Sequence, residues 1–108
     1  MKWVILTLVF VALILGCLGQ FDQQSDEDKA KQLCIDACNL ALGRGQDLNV
    51  GPCLLNPIEE IPDWVCDVAH DPRNPVDNEP SNQCSSYRNG YANHFVEVKP
   101  NCDFIRAR

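Results

Sequence analysis

The chain has 108 residues, enough for one domain, and its formal net charge at pH 7 is −6. From Gln20 onward eight Lys and Arg oppose fifteen Asp and Glu, so this part carries a net charge of −7. No cluster of basic residues occurs in the sequence, which excludes binding to nucleic acid and direct adhesion to anionic lipid. The acidic balance instead favours a cationic partner or an unspecified protein partner.

The N-terminal segment predicts export. Lys2 supplies one positive charge, the stretch from Trp3 to Leu15 is apolar apart from Thr7, and mostly small residues follow. The uncharged run of 17 residues up to Gly19 is slightly shorter than the roughly 18–20 that span a bilayer. We therefore expect a secretory signal peptide, and an uncleaved signal-anchor is the alternative.

Cys17 ends this apolar run, and six further cysteines follow it. An odd number of cysteines in an exported protein needs an explanation. The motif Ile14-Leu15-Gly16-Cys17 resembles the lipobox of prokaryotic lipoproteins, which implies that Cys17 is lipidated and becomes the N-terminus, although Leu15 departs from the usual small residue. Cleavage after Gly19, which would discard Cys17 with the signal, is the alternative.

The next segment predicts a helix from about Asp26 to Leu42. Ser25 is a candidate N-cap followed by three acidic residues, and apolar residues then recur at steps of three and four. Gly43 is a natural stop. Cys34 and Cys38 share one face of this helix, and we expect each to bond to a separate piece of chain, one of them to Cys66 or Cys53.

Extended segments follow the helix. Proline excludes further helix before Pro62 and leaves one brief extended piece at Cys53–Leu55. The stretch 64–69 is the principal predicted strand, with Trp64, Cys66 and Val68 on the face that packs against the helix, and Val65, Asp67 and Ala69 on the other.

The rest of the chain alternates loops with short elements. Residues 71–80 predict an acidic, proline-rich surface loop, and residues 80–88 a turn or two of helix. A second strand is expected at 93–98, with Phe95 and Glu97 on the face opposite His94, and a short third strand at 102–105.

The six downstream cysteines are best explained as a disulfide framework. A domain of this size buries only slightly more than about 60% of its extended surface, and three bridges at about 2–4 kcal/mol each are comparable with its whole stability. The sequence leaves all pairings open among Cys34, Cys38, Cys53, Cys66, Cys84 and Cys102.

Metal binding is the second hypothesis for function. Acids and histidines lie on or beside the two main strands, and pairing of these strands would bring His70 and His94 together. With Asp71, these histidines are the candidate ligands for Ca²⁺ or Zn²⁺; an exposed histidine beside a solvated acidic loop is the alternative. The full set is Asp67, His70, Asp71, Asp77, Glu79, His94 and Glu97.

Catalysis is not predicted. A Cys66–His70 or Cys66–His94 pair would need a thiolate, which a disulfide framework removes. The serines lack a nucleophile-elbow motif. We therefore predict no cofactor and no enzymatic activity, and a hydrolase is the third hypothesis after a non-catalytic surface domain and a metal-binding domain.

A family resemblance adds to this prediction. The stretch 64–70, together with the motifs around Pro72-Arg73, Asn82-Gln83-Cys84 and 94–98, resembles a group of small, exported, lipoprotein-like, cysteine-rich archaeal proteins. The resemblance covers about Cys34 to Ile105. That group has no assigned activity, so the resemblance implies a compartment and a fold and supplies no functional residues.

Together these observations predict a disulfide-stabilised α+β domain with one N-terminal helix packed on a short antiparallel sheet. Residues 1–19 form the signal or anchor, residues 20–25 a polar tether, and residues 26–108 the domain. We expect it to be extracytoplasmic, either secreted or held at the cell-surface membrane by the N-terminal lipid or signal-anchor.

Overall fold

A computed structural model of the chain describes residues 24–108. The predictions for the signal, for Cys17 and for most of the tether lie outside these residues. The described elements are, in chain order, helix α1 (Asp26–Gly43), strands β1 (Cys53–Leu55) and β2 (Trp64–Val68), two 3-10 turns (Pro75–Asn78 and Pro80–Asn82), the short helix α2 (Ser85–Arg88), and strands β3 (His94–Val98) and β4 (Phe104–Ala107).

Helix α1 forms as its sequence predicts. The Oγ of Ser25 accepts a hydrogen bond from the backbone N–H of Asp28 at 3.1 Å, which satisfies one of the free donors of the first turn. Ala30, Cys34, Cys38 and Ala41 recur at the helical period and are all buried. These small side chains allow the helix to lie close to the sheet.

The four strands form one sheet in the order β1-β2-β3-β4. The β1–β2 and β3–β4 pairs are antiparallel, as expected, but the central β2–β3 pair is parallel. The sheet is therefore mixed. The connection between the central strands, residues 69–93, is longer than the dozen or so residues that a parallel return requires.

The predicted faces of the strands are confirmed. Trp64, Cys66 and Val68 of β2 pack with Val96 and Val98 of β3 against α1, and all five are buried. A buried core that joins one helix to one face of the sheet gives the predicted α+β class. The opposite face of the sheet, which we call the outer face, lies under the connection between β2 and β3.

Three disulfides hold these layers together. Cys34–Cys66 joins α1 to β2, and Cys38–Cys102 joins α1 to the turn before β4. Cys53–Cys84 joins β1 to the start of α2 on the outer face. The two helix cysteines bond to separate segments, as predicted, and one of them bonds to Cys66.

The compartment follows from these bridges. Three intramolecular disulfides indicate an oxidising, extracytoplasmic environment. Within residues 24–108, no helix combines the length and the apolar character needed to cross a membrane.

Two of the bridges provide a matched pair of variants. Their sequence separations are 32 for Cys34–Cys66 and 31 for Cys53–Cys84. Removal of either bridge should therefore increase the chain entropy of the unfolded state by about the same amount and lower the free energy of unfolding by roughly 3–4 kcal/mol. Cys34 and Cys66 are both fully buried, so C34A/C66A also leaves a cavity. We expect C34A/C66A to cost about 1–2 kcal/mol more than C53A/C84A in denaturant unfolding; equal losses would contradict this account of the core.

Candidate functional site

The outer face of the sheet carries a cleft. Its floor is formed by side chains of β2, β3 and β4, and its wall by the connection 69–93. Its volume is about 490 Å³, within the range of small-ligand sites. The lining residues are Val65, Asp67, Arg73, Gln83, Cys84, Tyr87, Arg88, Phe95, Glu97 and Arg106.

The parallel register places two acidic side chains next to each other on this floor. Asp67 of β2 pairs with Glu97 of β3. Two residues earlier in each strand, Val65 pairs with Phe95 on the same face. Adjacent parallel strands are about 4.8 Å apart. The cleft therefore has a polar end at Asp67 and Glu97 and an apolar end at Val65 and Phe95.

Glu97 is buried and is held by two guanidinium groups. Its Oε2 accepts a hydrogen bond from Arg73 at 2.8 Å, and Arg106 Nε lies 3.0 Å from its Oε1 in an ion pair. Both carboxylate oxygens are therefore paired with a guanidinium group, and these ion pairs hold the two arginines at the edge of the cleft.

Arg73 is also fixed by the connection that carries it. Its Nε donates to Asn78 Oδ1 at 2.8 Å, and one terminal nitrogen donates to the carbonyl oxygen of Asp77 at 3.3 Å. All three guanidinium nitrogens of Arg73 thus have acceptors. Arg73 therefore links the connection to the sheet through hydrogen bonds to both.

Asp67 has no comparable partner. Its Oδ1 is buried and makes no hydrogen bond with any group of residues 24–108. Burial raises the pKa of Asp67, the charges of Glu97 and Asp77 act in the same direction, and Arg73 and the backbone N–H of Val68 oppose them; the result is a pKa of about 8. At pH 7 this carboxyl group is mostly protonated, and it can then donate a hydrogen bond.

Asp77 organises the connection that forms the wall. Its Oδ2 accepts from the backbone N–H groups of His70 and Asn74 at 2.9 and 3.0 Å, and its Oδ1 lies 2.9 Å from His70 Nδ1. Burial opposes ionisation of this carboxyl, but these hydrogen bonds and the imidazole hold its pKa below the usual value. A Cβ on Gly51 would lie 2.7 Å from Asp77 Oδ1, and Gly51 has a φ of +69°, so glycine is required there.

The structure separates the predicted metal ligands. In the parallel register His94 pairs with Trp64, so His70 lies six residues further along the strand direction, on the order of 20 Å away. The prediction that strand pairing brings the histidines together is wrong, because it assumed antiparallel strands. His70 pairs with Asp77, and His94 Nε2 lies 3.5 Å from Asp63.

The other predicted ligands do not form a site either. Asp71 is exposed, as is Glu79. In the part of the chain from residue 24 to residue 108, no group of three or more His, Cys, Asp or Glu has the geometry to hold a metal ion. Asp67 and Glu97 are brought together, but Glu97 is already neutralised by arginine.

Sequence reasoning missed the residues that give the cleft its character: Arg73, Arg88, Arg106, Gln83, Tyr87 and Phe95. Alternation along the strands did place Asp67 and Glu97 opposite the helix. Two acids on the second face of a small sheet indicate that this face is not simply solvated. The arginines come from distant segments and have no local pattern.

Comparisons with models of known protein families, with curated proteins and with solved structures give no match. The site must therefore be interpreted from its own chemistry.

The raised pKa of Asp67 makes folding depend on pH. In the unfolded chain the carboxyl titrates near 3.8, so from about pH 4 to pH 8 only the unfolded state loses the proton, and stability falls as pH rises. Asp67→Asn should remove this slope and raise the unfolding free energy at pH 8 by on the order of 5 kcal/mol, with little change at pH 4. Denaturant titrations across this range test it.

Glu59→Gln, a change at an exposed acid, serves as the matched control and should leave the slope as in the wild-type protein. A wild-type slope in the Asp67→Asn variant would contradict the assignment of the shift to Asp67.

Proposed function

We propose that this protein is a non-catalytic extracytoplasmic domain that binds a small ligand in the cleft on the outer face of its sheet. The observation that carries this proposal is the cleft itself, which combines an apolar end with fixed charged groups. Ligand sites in proteins have this composition, with a mostly apolar lining and a few oriented polar groups.

The chemistry of the side chains supports binding over catalysis. Both oxygens of Glu97 are occupied by arginine, which leaves this carboxylate poorly suited to act as a base or nucleophile. The six cysteines within residues 24–108 are all in disulfides, so none of them can form a nucleophilic thiolate. A hydrolase remains a lesser hypothesis.

Membrane attachment is the second part of the proposal. The lipobox-like motif before Cys17 and the short polar stretch after it suit a lipid anchor followed by a tether. The domain would then present its cleft at the outer face of the membrane. The resemblance to small exported archaeal proteins agrees with this placement and stays a prediction.

Binding in the cleft is tested with three ring compounds of different charge: benzyl alcohol, benzylamine and benzoate. At least one should shift the backbone amide NMR signals of Val65, Gln83 and Phe95. Tyr87→Ala should weaken that binding, because Tyr87 lines the cleft and its ring lies edge-on to Phe95 with centroids 5.1 Å apart. Tyr91→Ala is the matched control, since Tyr91 is 81% exposed and lies outside the cleft lining.

The proposal of a ligand site is overturned if none of the three compounds shifts these signals, or if both tyrosine variants behave alike.

Attachment is tested by the intact mass of the protein isolated from membranes of an expressing prokaryotic host. We expect a chain that begins at Cys17 and carries a diacylglyceryl group, with six hydrogens fewer than the fully reduced chain. A mature N-terminus at Gln20 without lipid would contradict the anchor and support secretion. Retention of Met1 would instead indicate a signal-anchor.

A further inference from the structure

The cleft concentrates positive charge in an acidic protein. Three arginines line it, Arg73, Arg88 and Arg106, and the one lining carboxylate that is paired with arginine is Glu97. With Asp67 protonated, the lining carries a net charge of +2, whereas the chain from Gln20 onward carries −7. The local charge is opposite to that of the surface as a whole.

Two of these arginines have donors to spare. Arg106 is paired with Glu97 through Nε, and its terminal nitrogens form no hydrogen bond within residues 24–108. Arg88 forms no side-chain hydrogen bond or ion pair within the same residues. A guanidinium group has five N–H donors in a planar fork that matches a carboxylate or phosphate. Both side chains are exposed, so water can occupy these donors in the free protein, and an oxyanion that enters the cleft can replace that water.

The apolar end of the cleft completes the site. Val65 is buried, and the rings of Tyr87 and Phe95 pack edge to face beside it. An aromatic wall next to a guanidinium fork suits a ligand with an apolar ring and one anionic group.

We infer that the ligand of the cleft is a small organic anion whose ring lies against Phe95 and Tyr87 and whose oxyanion is bound by Arg88 and Arg106. This inference rests on the proposed function and names the chemical class of its ligand.

Asp67 gives the site a dependence on pH. The charged groups near its carboxyl are Glu97 on β3, Arg73 and Asp77 on the connection, and Arg106 on β4 and Arg88 on α2, which line the same cleft. Ionisation of Asp67 as pH rises through about 8 places a negative charge beside the bound anion. Its affinity should then fall, by at least about fourfold between pH 7 and pH 9.

The experiment compares the dissociation constants of benzoate, benzyl alcohol and benzylamine, measured by NMR titration of the mature chain at low salt. Benzoate should bind most tightly. Arg88→Gln should weaken benzoate about tenfold, as expected for loss of one charge-assisted hydrogen bond, and should leave benzyl alcohol unchanged. Arg44→Gln, at the exposed end of α1, is the matched control and should change neither.

The pH arm uses Asp67→Asn. The variant should bind benzoate with the same affinity at pH 7 and pH 9, whereas the wild-type protein loses affinity. Phenyl phosphate, titrated in parallel, distinguishes a phosphate ligand from a carboxylate ligand, and tighter binding of either than of benzyl alcohol supports the inference.

Two outcomes overturn the inference and leave the ligand site in place. In the first, benzylamine or benzyl alcohol binds in the cleft as tightly as both benzoate and phenyl phosphate. In the second, Arg88→Gln and Arg44→Gln affect benzoate equally. By contrast, absence of any shift at the cleft with all three ring compounds overturns the proposed function itself.

Discussion

The parallel pairing of β2 with β3 is the constraint on which the site depends. Its register sets Asp67 beside Glu97 and Val65 beside Phe95, so the polar and apolar ends of the cleft come from the same two strands. A parallel pair also requires a long return, and that return, residues 69–93, supplies the cleft wall and Arg73. An antiparallel pair would need no such segment and would leave the outer face open to solvent.

The layers of the fold could be predicted from sequence because their signals are local. Helix α1 follows from a cap and a four-residue repeat of small buried residues, and the inner face of β2 follows from the alternation of Trp64, Cys66 and Val68. The direction of strand pairing is not a local property. It depends on how residues 69–93 pack. In that segment Asp77 accepts hydrogen bonds from the backbone N–H groups of His70 and Asn74, and no short sequence motif predicts these contacts.

The candidate site was predictable only in part, for the same reason. The position of its acids could be predicted, because alternation along a strand assigns Asp67 and Glu97 to one face. The position of its arginines could not be predicted, because Arg73, Arg88 and Arg106 belong to three different segments that only the topology brings together. Composition also gave no sign of the cleft: the chain from Gln20 onward is net negative, whereas three arginines line the cleft.

Asp67 provides the strongest argument that this arrangement serves a ligand. A carboxyl group whose Oδ1 is buried without a partner among the described residues destabilises the fold at neutral pH, because the proton it retains is one the unfolded chain releases. Asparagine or an apolar residue would fit the strand at lower cost.

The groups around Asp67 act against its ionisation more than they favour it, since Arg73 is directed to Glu97. A destabilising polar group that faces a cleft, beside arginines with unused donors, is the kind of local conflict that functional sites retain. Its Oδ1 has no partner within residues 24–108, and an anionic ligand is the class of molecule that a protonated carboxyl and two guanidinium groups can bind together.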